Sequence, residues 1–417
     1  MKKNCLLLLI LMWNFLTPVS GQQNVIKDKQ IHTLKVTADD DPLMPPIVNL
    51  GGNHHIEIGF DDFSHEYHRY IYHITHCDAQ WQPSKEIFES DFLEGFNDRP
   101  IEDYEKSFNT TVLYTHYKVR IPNEDVSLKL SGNYKVVILN DDGDEPVPVA
   151  EVCFSIVEPG VSINAQVSSN TDIDFNKTHQ QLSFTVNYTT TNVVDPIREL
   201  KTVVMQNRRT DNMVFNPKPN IQSSKQIEFS HNRQLIFPAG NEYHKFEILD
   251  VHQPGLNVDR IEWHDPHYHA VLFADKAAKN YVYDEDQNGA FIVRNTDDWE
   301  INTTSEYLFV HFMLSSPRLT GGDVYINGEW TGNQFSPEYK MTYNETLQAY
   351  ETAILLKQGY YNYNYLFLPD GKNIGNSDKT DGNFYETENE YIILVYQRPV
   401  GGRYDKLVGY RKMNFKN

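Results

Sequence analysis

The sequence has little positive charge. Its 417 residues include 37 Lys and Arg against 57 Asp and Glu, which gives a formal net charge of -20. No block of five or more basic residues is present, whereas a nucleic-acid backbone attracts a basic surface. Disorder is excluded on other grounds, because 40% of the residues are hydrophobic and 13% are aromatic, enough to form a core. The composition therefore indicates a folded acidic protein that does not bind nucleic acid.

Cysteine is also scarce, with only Cys5, Cys77 and Cys153 in the chain. No Cys-x-x-Cys spacing occurs, so the usual signature of a redox or structural zinc site is missing. Cys77 and Cys153 could form one disulfide, to which the loop-entropy model assigns about 4 kcal/mol. They could equally remain two free thiols in a core. In either case, two cysteines cannot build a disulfide-based scaffold.

Long hydrophobic runs are absent except near the N-terminus, where two lysines precede an apolar stretch from Cys5 to Leu16. A proline and then small residues follow that stretch. The pattern predicts a cleavable secretory signal at residues 1–21 and a linker at residues 22–34. A retained membrane anchor is the less favoured alternative, because a spanning helix needs roughly 20 apolar residues. We therefore expect the mature chain to be soluble in the periplasm, without direct membrane insertion.

Strand patterns dominate the remaining sequence, and no long segment has helical periodicity. Residues 111–121 alternate between an apolar face that includes Leu113 and Tyr117 and a polar face. Residues 134–139 and 147–157 flank an Asp- and Gly-containing turn and predict a hairpin. The chain is therefore predicted to be all-β.

About seven short strands before the Pro-Gly pair at 159–160 fit an immunoglobulin-like sandwich. Two further strand-rich blocks follow, and no sequence repeat of fixed period relates the three. We predict tandem immunoglobulin-like or early-set β-sandwich domains at residues 35–158, 159–297 and 298–417.

Three segments of the third domain, Val324–Trp330, Leu355–Tyr365 and Asp370–Lys372, resemble the early-set immunoglobulin-like domains that include glycogen-binding modules. In such modules, sugar faces stack on exposed aromatic side chains. Here Tyr361, Tyr363, Tyr365 and Phe367 fall on one face of a predicted strand, which is what a sandwich core requires. We favour the core interpretation and keep glycan binding as the alternative.

One acidic motif has the residue types of a calcium loop. Asp284, Asp286 and Asn288 alternate before Gly289, and alternate oxygen ligands with a glycine allow a tight wrap around a hard cation. The twelfth position is Asn295 instead of a bidentate glutamate. We favour a hairpin turn built on Asn288-Gly289 and leave cation binding open.

Two histidine groups have residue types that could bind a metal. His264, His267 and His269 lie close together, and His73 and His76 precede Cys77. Imidazoles two positions apart share one face of a strand, but no carboxylate or thiolate falls at an obvious ligand spacing. Histidines with structural roles are the favoured interpretation, so no metal site and no cofactor are predicted.

No catalytic motif was found. The sequence contains no Gly-x-Ser-x-Gly elbow, His-Glu-x-x-His helix or phosphate-binding loop. Its acidic residues are so abundant that a carboxylate pair carries no weight as a hydrolase signature. The sequence therefore predicts a protein that is not an enzyme.

Ten short motifs follow one another in the first domain and at the C-terminus: His76-Cys77-Asp78-Ala79-Gln80-Trp81, Pro83-Ser84, Phe92-Leu93-Glu94-Gly95-Phe96, Ile101-Glu102-Asp103-Tyr104, Ser107-Phe108-Asn109-Thr110, Tyr114-Thr115-His116-Tyr117, Ile121-Pro122-Asn123, Ser131-Gly132-Asn133-Tyr134, Tyr396-Gln397-Arg398 and Tyr404-Asp405-Lys406-Leu407-Val408-Gly409-Tyr410. In this order they resemble the plug-protein family of the type IX secretion system. The resemblance thus spans essentially the whole chain after the predicted signal.

The resemblance implies a periplasmic cap on the giant outer-membrane β-barrel translocon of that system. Such a plug occupies the periplasmic end of the barrel when no cargo shuttle is engaged, and so prevents leakage. The implied partner is the outer-membrane type IX translocon barrel. The alternatives are a periplasmic glycan-binding protein and an envelope-assembly protein.

The longest connection of the first domain, residues 81–109, is the candidate contact segment, because functional residues concentrate on loops. Its alternative role is to fold back over the sandwich and pack on its own domain. Six residues of the segment are candidates for partner binding: Trp81, Asp91, Phe92, Phe96, Asp98 and Asp103.

Overall fold

The computed structural model describes residues 22–296 and 299–416. The predicted signal at residues 1–21 lies outside the described residues. In the described ranges, no helix combines the length and the apolar composition that crossing a membrane requires.

The first module, residues 25–157, is a two-sheet sandwich. Its strands are β1 Val25–Ile26, β2 Ile31–Ala38, β3 Ile47–Asn49, β4 Ile56–Asp62, β5 Tyr70–Cys77, β6 Leu93–Gly95, β7 Arg99–Pro100, β8 Asp103–Lys106, β9 Thr115–Ile121, β10 Val126–Leu128, β11 Gly132–Asn140 and β12 Val147–Val157, with helix α1 at Glu89–Phe92. One sheet has the order β1-β12-β11-β5-β7 with β3 beside β12, and the other has the order β2-β4-β9-β8. Alternate residues such as Ile58 and Val136 turn inward to form the core.

The next block of the chain contributes strands β13 Ser162–Ser168, β14 His179–Asn187, β15 Leu200–Gln206, β16 Val214–Phe215, β17 Ile221–Gln222, β18 Gln226–Phe229 and β19 Ile236–Pro238, with helix α2 at Pro196–Glu199 and a 3₁₀ turn at Arg233–Leu235. The following block contributes β20 His244–Ile248, β21 Val258–His264, β22 His267–Leu272, β23 Asp275–Lys276, β24 Phe291–Val293, β25 Tyr307–Ser315, β26 Gly322–Asn327, β27 Thr342–Asn344, β28 Ala349–Lys357 and β29 Gly359–Pro369, with helix α3 at Ile301–Thr304 and 3₁₀ turns at Glu329–Thr331 and Pro337–Tyr339. The chain ends with β30 Glu390–Gln397 and β31 Lys406–Asn414.

The last two strands return to the second block. β15 pairs antiparallel with β30, with Leu200 opposite Gln397, in a sheet of order β16-β15-β30-β31. The facing sheet has the order β13-β14-β18-β17 with β19 beside β14. Phe184 and Tyr391 belong to the single core between these two sheets.

The strands between these two parts form a separate pair of sheets. Their orders are β20-β29-β24 with β26 beside β29, and β21-β22-β25-β28-β27 with β23 beside β25. This pairing differs from the predicted division at 297/298, which placed β15 and β30 in different domains. We propose instead a split module, residues 162–238 and 390–414, that is interrupted by an inserted module, residues 244–369.

The all-β sandwich class predicted from the sequence is confirmed by these sheets. The predicted hairpin is present as β11 and β12, with Val136 opposite Val152. The strand predicted at 111–121 begins only at Thr115, and Leu113 is half exposed instead of buried. The reason is that the amides of Thr111 and Val112 donate to the carboxylate of Glu306 in the inserted module, which draws them away from the strand.

Candidate partner-binding surface

The predicted contact segment, residues 81–109, crosses one side of the first module. Its strand β7 pairs with β5 in one sheet, and its strand β8 pairs with β9 in the other. The segment carries eight acidic and three basic side chains, so it is acidic like the whole chain. It therefore partly packs on its own domain and partly presents an acidic outer surface.

Two of the six candidate residues are buried. Trp81 and Phe92 are 3% and 7% exposed. Trp81 closes a turn in which its amide donates to the carbonyl of Asp78 at 2.9 Å, while the Asp78 carboxylate accepts from the amides of Gln80 and Gln82. In this conformation, Trp81 and Phe92 stabilise the module and offer no ring surface to a partner.

A third candidate, Phe96, is 71% exposed and has an exposed neighbour in Phe88, at 76%. The side-chain amide of Asn97 donates to the Glu89 carboxylate at 2.9 Å and to the carbonyl of Ile74 at 3.0 Å. This bridge links the residues next to the two phenylalanines in the chain. Phe88 and Phe96, which are both exposed, are called here the Phe pair.

The three acidic candidates are tied to basic side chains. Asp91 accepts from the amide of Phe88 at 2.9 Å and from Arg403 of the split module at 3.0 Å. The amide hydrogen bond and then the guanidinium lower the pKa of Asp91. Asp98 lies 2.9 Å from His73, and Asp103 lies 3.4 Å from Lys118. The Asp98 and Asp103 side chains remain more than half exposed and can still face a partner.

Several residues of the ordered motifs meet where the first and split modules touch. Asp405 accepts from the amide of Ala79 at 3.0 Å, and the hydroxyl of Tyr396 donates to Asn133 at 2.9 Å. Asp405 is also paired with Lys201 and Arg398, each at 2.8 Å. These motifs, which are distant in the sequence, thus form one interface.

His76 and Gly132 show why the motif sequence is needed at this interface. The imidazole of His76 packs edge-on against Tyr404, with ring centroids 5.3 Å apart, and burial lowers its pKa to about 4. Gly132 has a φ of 141°, and a Cβ at this position would collide with the His76 ring. A glycine therefore allows the close approach.

A second interface, which the sequence analysis missed, joins the first module to the inserted module. Asp61 accepts from the hydroxyl of Tyr307, from the ammonium of Lys357 and from His116, each at 2.6 Å. The Tyr114 hydroxyl adds a hydrogen bond to the carbonyl of Ser305 at 2.8 Å. This buried cluster brings together residues that no local sequence pattern connects.

Arg208 lies where all three modules meet. Its guanidinium pairs with Glu390 of the split module at 3.0 Å and with Glu329 of the inserted module at 3.3 Å. It also donates to the carbonyl of Leu43 in the first module. Burial opposes the charge, but the two carboxylates outweigh it and raise the pKa of Arg208.

The acidic motif of the inserted module uses its oxygen atoms internally. Asp286 accepts from the amide of Asn288 at 2.6 Å and from the amide of Tyr243, and Asp284 pairs with Lys245. Asn288 and Gly289 both have positive φ, as the predicted turn requires, although only β24 on its C-terminal side is a strand. Across residues 22–296 and 299–416, no three His, Cys, Asp or Glu side chains are already arranged to hold a metal ion.

The remaining candidate residues are dispersed. Cys77 and Cys153 are free and buried. They lie on β5 and β12, and the central strand β11 separates these two strands. Tyr361, Tyr363, Tyr365 and Phe367 are at most 6% exposed, as the core interpretation predicted, and so provide no stacking platform for a sugar.

The chain is similar to known proteins, over its first module in one case and over most of its length in another. Residues 31–158 match the family model described as "Type 9 secretion system plug protein 1st domain". A crystal structure of a hypothetical protein from Parabacteroides merdae ATCC 43184 is similar over 95% of this chain and 100% of that one, with 41% identity and a TM-score of 0.91. No curated protein gives a significant match.

Proposed function

Because the chain belongs to the plug-protein family of the type IX secretion system, we propose that it caps the periplasmic mouth of the system's outer-membrane translocon barrel. The cap prevents leakage while no cargo shuttle is engaged. The family match over residues 31–158 is the observation that carries this proposal. A role in type IX secretion follows from that membership, and the capping step is our inference.

A cap needs a preformed and rigid surface, and the contacts between modules supply one. Three buried polar clusters, centred on Asp61, Asp405 and Arg208, join the three modules. Buried ionic groups tolerate little displacement, because separating them leaves an uncompensated charge in a low dielectric. The protein is therefore suited to seal an opening as one body.

The Phe pair and the acidic side chains around it are the proposed contact with the barrel. Exposed aromatic residues commonly supply the binding energy at the centre of an interface, and a charged rim suits reversible binding. Glu94, Asp98 and Asp103 lie in the same segment and are solvent-exposed. Such a surface can bind and still be released when a shuttle arrives.

The proposed location of the protein is the periplasm. The signal predicted at residues 1–21 would direct its export, and the protein would be held peripherally at the translocon. We propose no catalytic role and no cofactor. The family is named for a secretion-system component, and the proposed activity requires only binding and release.

Co-purification tests the proposal. The tagged protein is recovered from detergent-solubilised outer membranes of cells with and without the shuttle protein, and the associated proteins are identified by mass spectrometry. We expect the translocon barrel to be enriched, and more strongly in cells without the shuttle. Absence of the barrel from both samples would refute the proposed role.

A pair of variants tests the proposed surface. Changing Phe88 and Phe96 to serine should reduce barrel recovery by roughly tenfold or more, since interface aromatics commonly contribute over 1 kcal/mol each. Phe108→Ser is the matched control, because Phe108 is also in the segment and is 64% exposed. Its amide bonds to Thr303 of the inserted module, away from the Phe pair. Equal loss in both proteins would exclude the Phe pair as the specific contact.

A further inference from the structure

Three neighbouring strands of the inserted module present imidazoles on one solvent-facing side of their sheet. The Nδ1 atom of His269 on β22 lies 2.8 Å from the Nε2 atom of His311 on β25. The ring of His264, at the end of β21, is centred 5.0 Å from the ring of His269. The two neighbours of His311 in the strand, Val310 and Phe312, are buried in the core, so His311 lies on the outer face.

This pair differs from the histidines that are paired with an aspartate. Eight histidines lie within ion-pairing distance of an aspartate: His54, His55, His68, His73, His116, His179, His231 and His244. His269 and His311 instead face each other, and within residues 22–296 and 299–416 no carboxylate is hydrogen bonded to either ring. Two facing imidazoles can share one proton but repel each other when both are charged. A metal ion can take the place of that shared proton between the two rings.

The surroundings of both rings disfavour the charged form of imidazole. Burial and then the neighbouring histidines lower the pKa values of His269 and His311. Arg260 also lowers the pKa of His311, whereas Glu262 and Glu351 act in the opposite direction. Neutral imidazole is the form that ligates metals, so these surroundings favour the ligating form.

We propose that His269 and His311 bind a divalent transition-metal ion, with His264 as a third ligand. Imidazole nitrogens suit Zn²⁺, Ni²⁺ and Cu²⁺. Bonds of about 2.0–2.1 Å around a tetrahedral ion hold two nitrogens roughly 3.4 Å apart. The two rings must therefore separate by about half an ångström from their present hydrogen bond, a shift that a side-chain rotation supplies.

The third ligand must rotate into place. In the described ranges, no three His, Cys, Asp or Glu side chains are already arranged around a metal position. The His264 side chain is, however, 62% exposed, and its Nε2 atom lies only 3.4 Å from a carboxylate oxygen of Glu262. Glu262 is the cross-strand neighbour of His269. His264 is therefore close enough to move, and Glu262 can accept its free N–H. A bound ion would link the β21–β22 hairpin to β25, which pairs with β22 in parallel.

Calorimetric titration with NiCl₂ and with ZnCl₂ tests the proposal on metal-stripped protein that carries no histidine tag. We expect one equivalent to bind. His269→Gln and His311→Gln should each weaken binding by at least about tenfold, as losses of metal-site groups commonly do. His231→Gln is the matched control, because its exposed ring pairs with Asp172 on another module. This control should leave binding unchanged.

Three results would overturn the proposal. The first is that the wild-type protein shows no saturable binding. The second is that the His269 and His311 variants bind the metal as tightly as the wild-type protein does. The third is that the His231 control loses as much affinity as those two variants. His264→Gln changes an exposed side chain at a hairpin end and so tests the third ligand without risk to the core. Unchanged affinity in that variant would remove His264 from the site. Binding by the wild-type protein should also weaken as the solution is made more acidic, because a protonated imidazole does not ligate a metal.

Discussion

Asp61 of the first module and Lys357 of the inserted module form an ion pair at 2.6 Å, with both side chains only 1% exposed. The two residues are 296 positions apart in the chain. Lys357 also donates to the carbonyl of Asn302 at 2.5 Å and lies over the ring of Tyr114 at 4.2 Å. The ammonium is thus fully enclosed by partners from both modules, and it fixes how the two modules meet.

Replacing Lys357 with methionine should destabilise the protein by about 3–5 kcal/mol, because the Asp61 carboxylate is left buried without its cation. Chemical denaturation of the wild-type and variant proteins measures the difference. The double variant Asp61→Asn/Lys357→Met should recover part of the loss, since the uncompensated charge is then absent.

The exposed pair of Arg318 and Glu345, at 2.6 Å with side chains 65% and 71% exposed, provides the control. Arg318→Met should change the free energy of unfolding by less than about 1 kcal/mol. A similarly small effect for Lys357→Met would show that the buried pair does not hold the modules together.

His244 should make the stability depend on pH. It lies between Asp275 and Asp381, with nitrogen-to-oxygen distances of 3.1 Å and 3.0 Å. Burial lowers its pKa, but the two carboxylates outweigh burial and raise the pKa well above the usual value. A raised histidine pKa stabilises the fold fully below the unfolded value of about 6.5, and this contribution is lost as the pH rises through the folded value.

We therefore expect His244→Gln to cost more stability at about pH 6 than at about pH 9. Unfolding free energies of both proteins across that range provide the test. A constant difference between them would mean that His244 is not charged in the folded protein.

Asp286 should make the folded protein less stable as the pH rises, whereas a carboxylate with a lowered pKa makes it more stable. Burial raises its pKa to about 7, above the unfolded value of roughly 3.9. The folded state therefore holds a proton that the unfolded state loses, so stability falls as the pH rises from about 4 to 7. Asp286→Asn should remove this part of the pH dependence, as measured by thermal unfolding in buffers across the range. An unchanged slope would contradict the assignment.

Cys77 and Cys153 should remain thiols even in an oxidising compartment. The intervening strand β11 keeps them two strands apart, roughly 9–10 Å by the usual strand spacing, whereas a disulfide needs Cα atoms within about 7 Å. Burial raises the pKa of both thiols to about 12, so neither should react while the protein is folded.

Mass spectrometry after alkylation checks this, with and without denaturant. In protein that lacks the predicted signal, and with it Cys5, two alkyl groups should be added in denaturant without a reducing agent, and none in the folded state. If denatured protein takes up alkyl groups only after reduction, then a disulfide exists and the strand order of the first module is wrong.

Local patterns predicted the parts of the fold that depend on neighbouring residues. The strands Gly132–Asn140 and Val147–Val157 are read from alternation and an intervening turn, and the buried face of Tyr361 and Tyr363 follows from the two-residue period. The pairing of β15 with β30 leaves no such pattern, because it depends on contacts across an inserted module. The predicted domain division at 297/298 could not anticipate it.

The sequence predicted the position of the candidate surface but not which of its side chains are exposed. An aromatic and acidic segment at 81–109 is evident from the sequence, but alternation does not tell which aromatic ring faces inward in an irregular loop. Trp81 is buried and Phe96 is exposed. Asp61 and Lys357 were missed because each is an ordinary charged residue until the fold encloses both.

Outer-membrane permeability tests the capping role most directly. Uptake of a large hydrophilic antibiotic is measured in cells without this protein and in the same cells complemented with the wild-type chain or with the Phe88→Ser/Phe96→Ser variant. The account predicts leakage without the protein, sealing by the wild-type chain, and weaker sealing by the variant at equal abundance. If cells without the protein exclude the antibiotic as well as wild-type cells do, with the barrel present in normal amount, the protein does not cap the translocon.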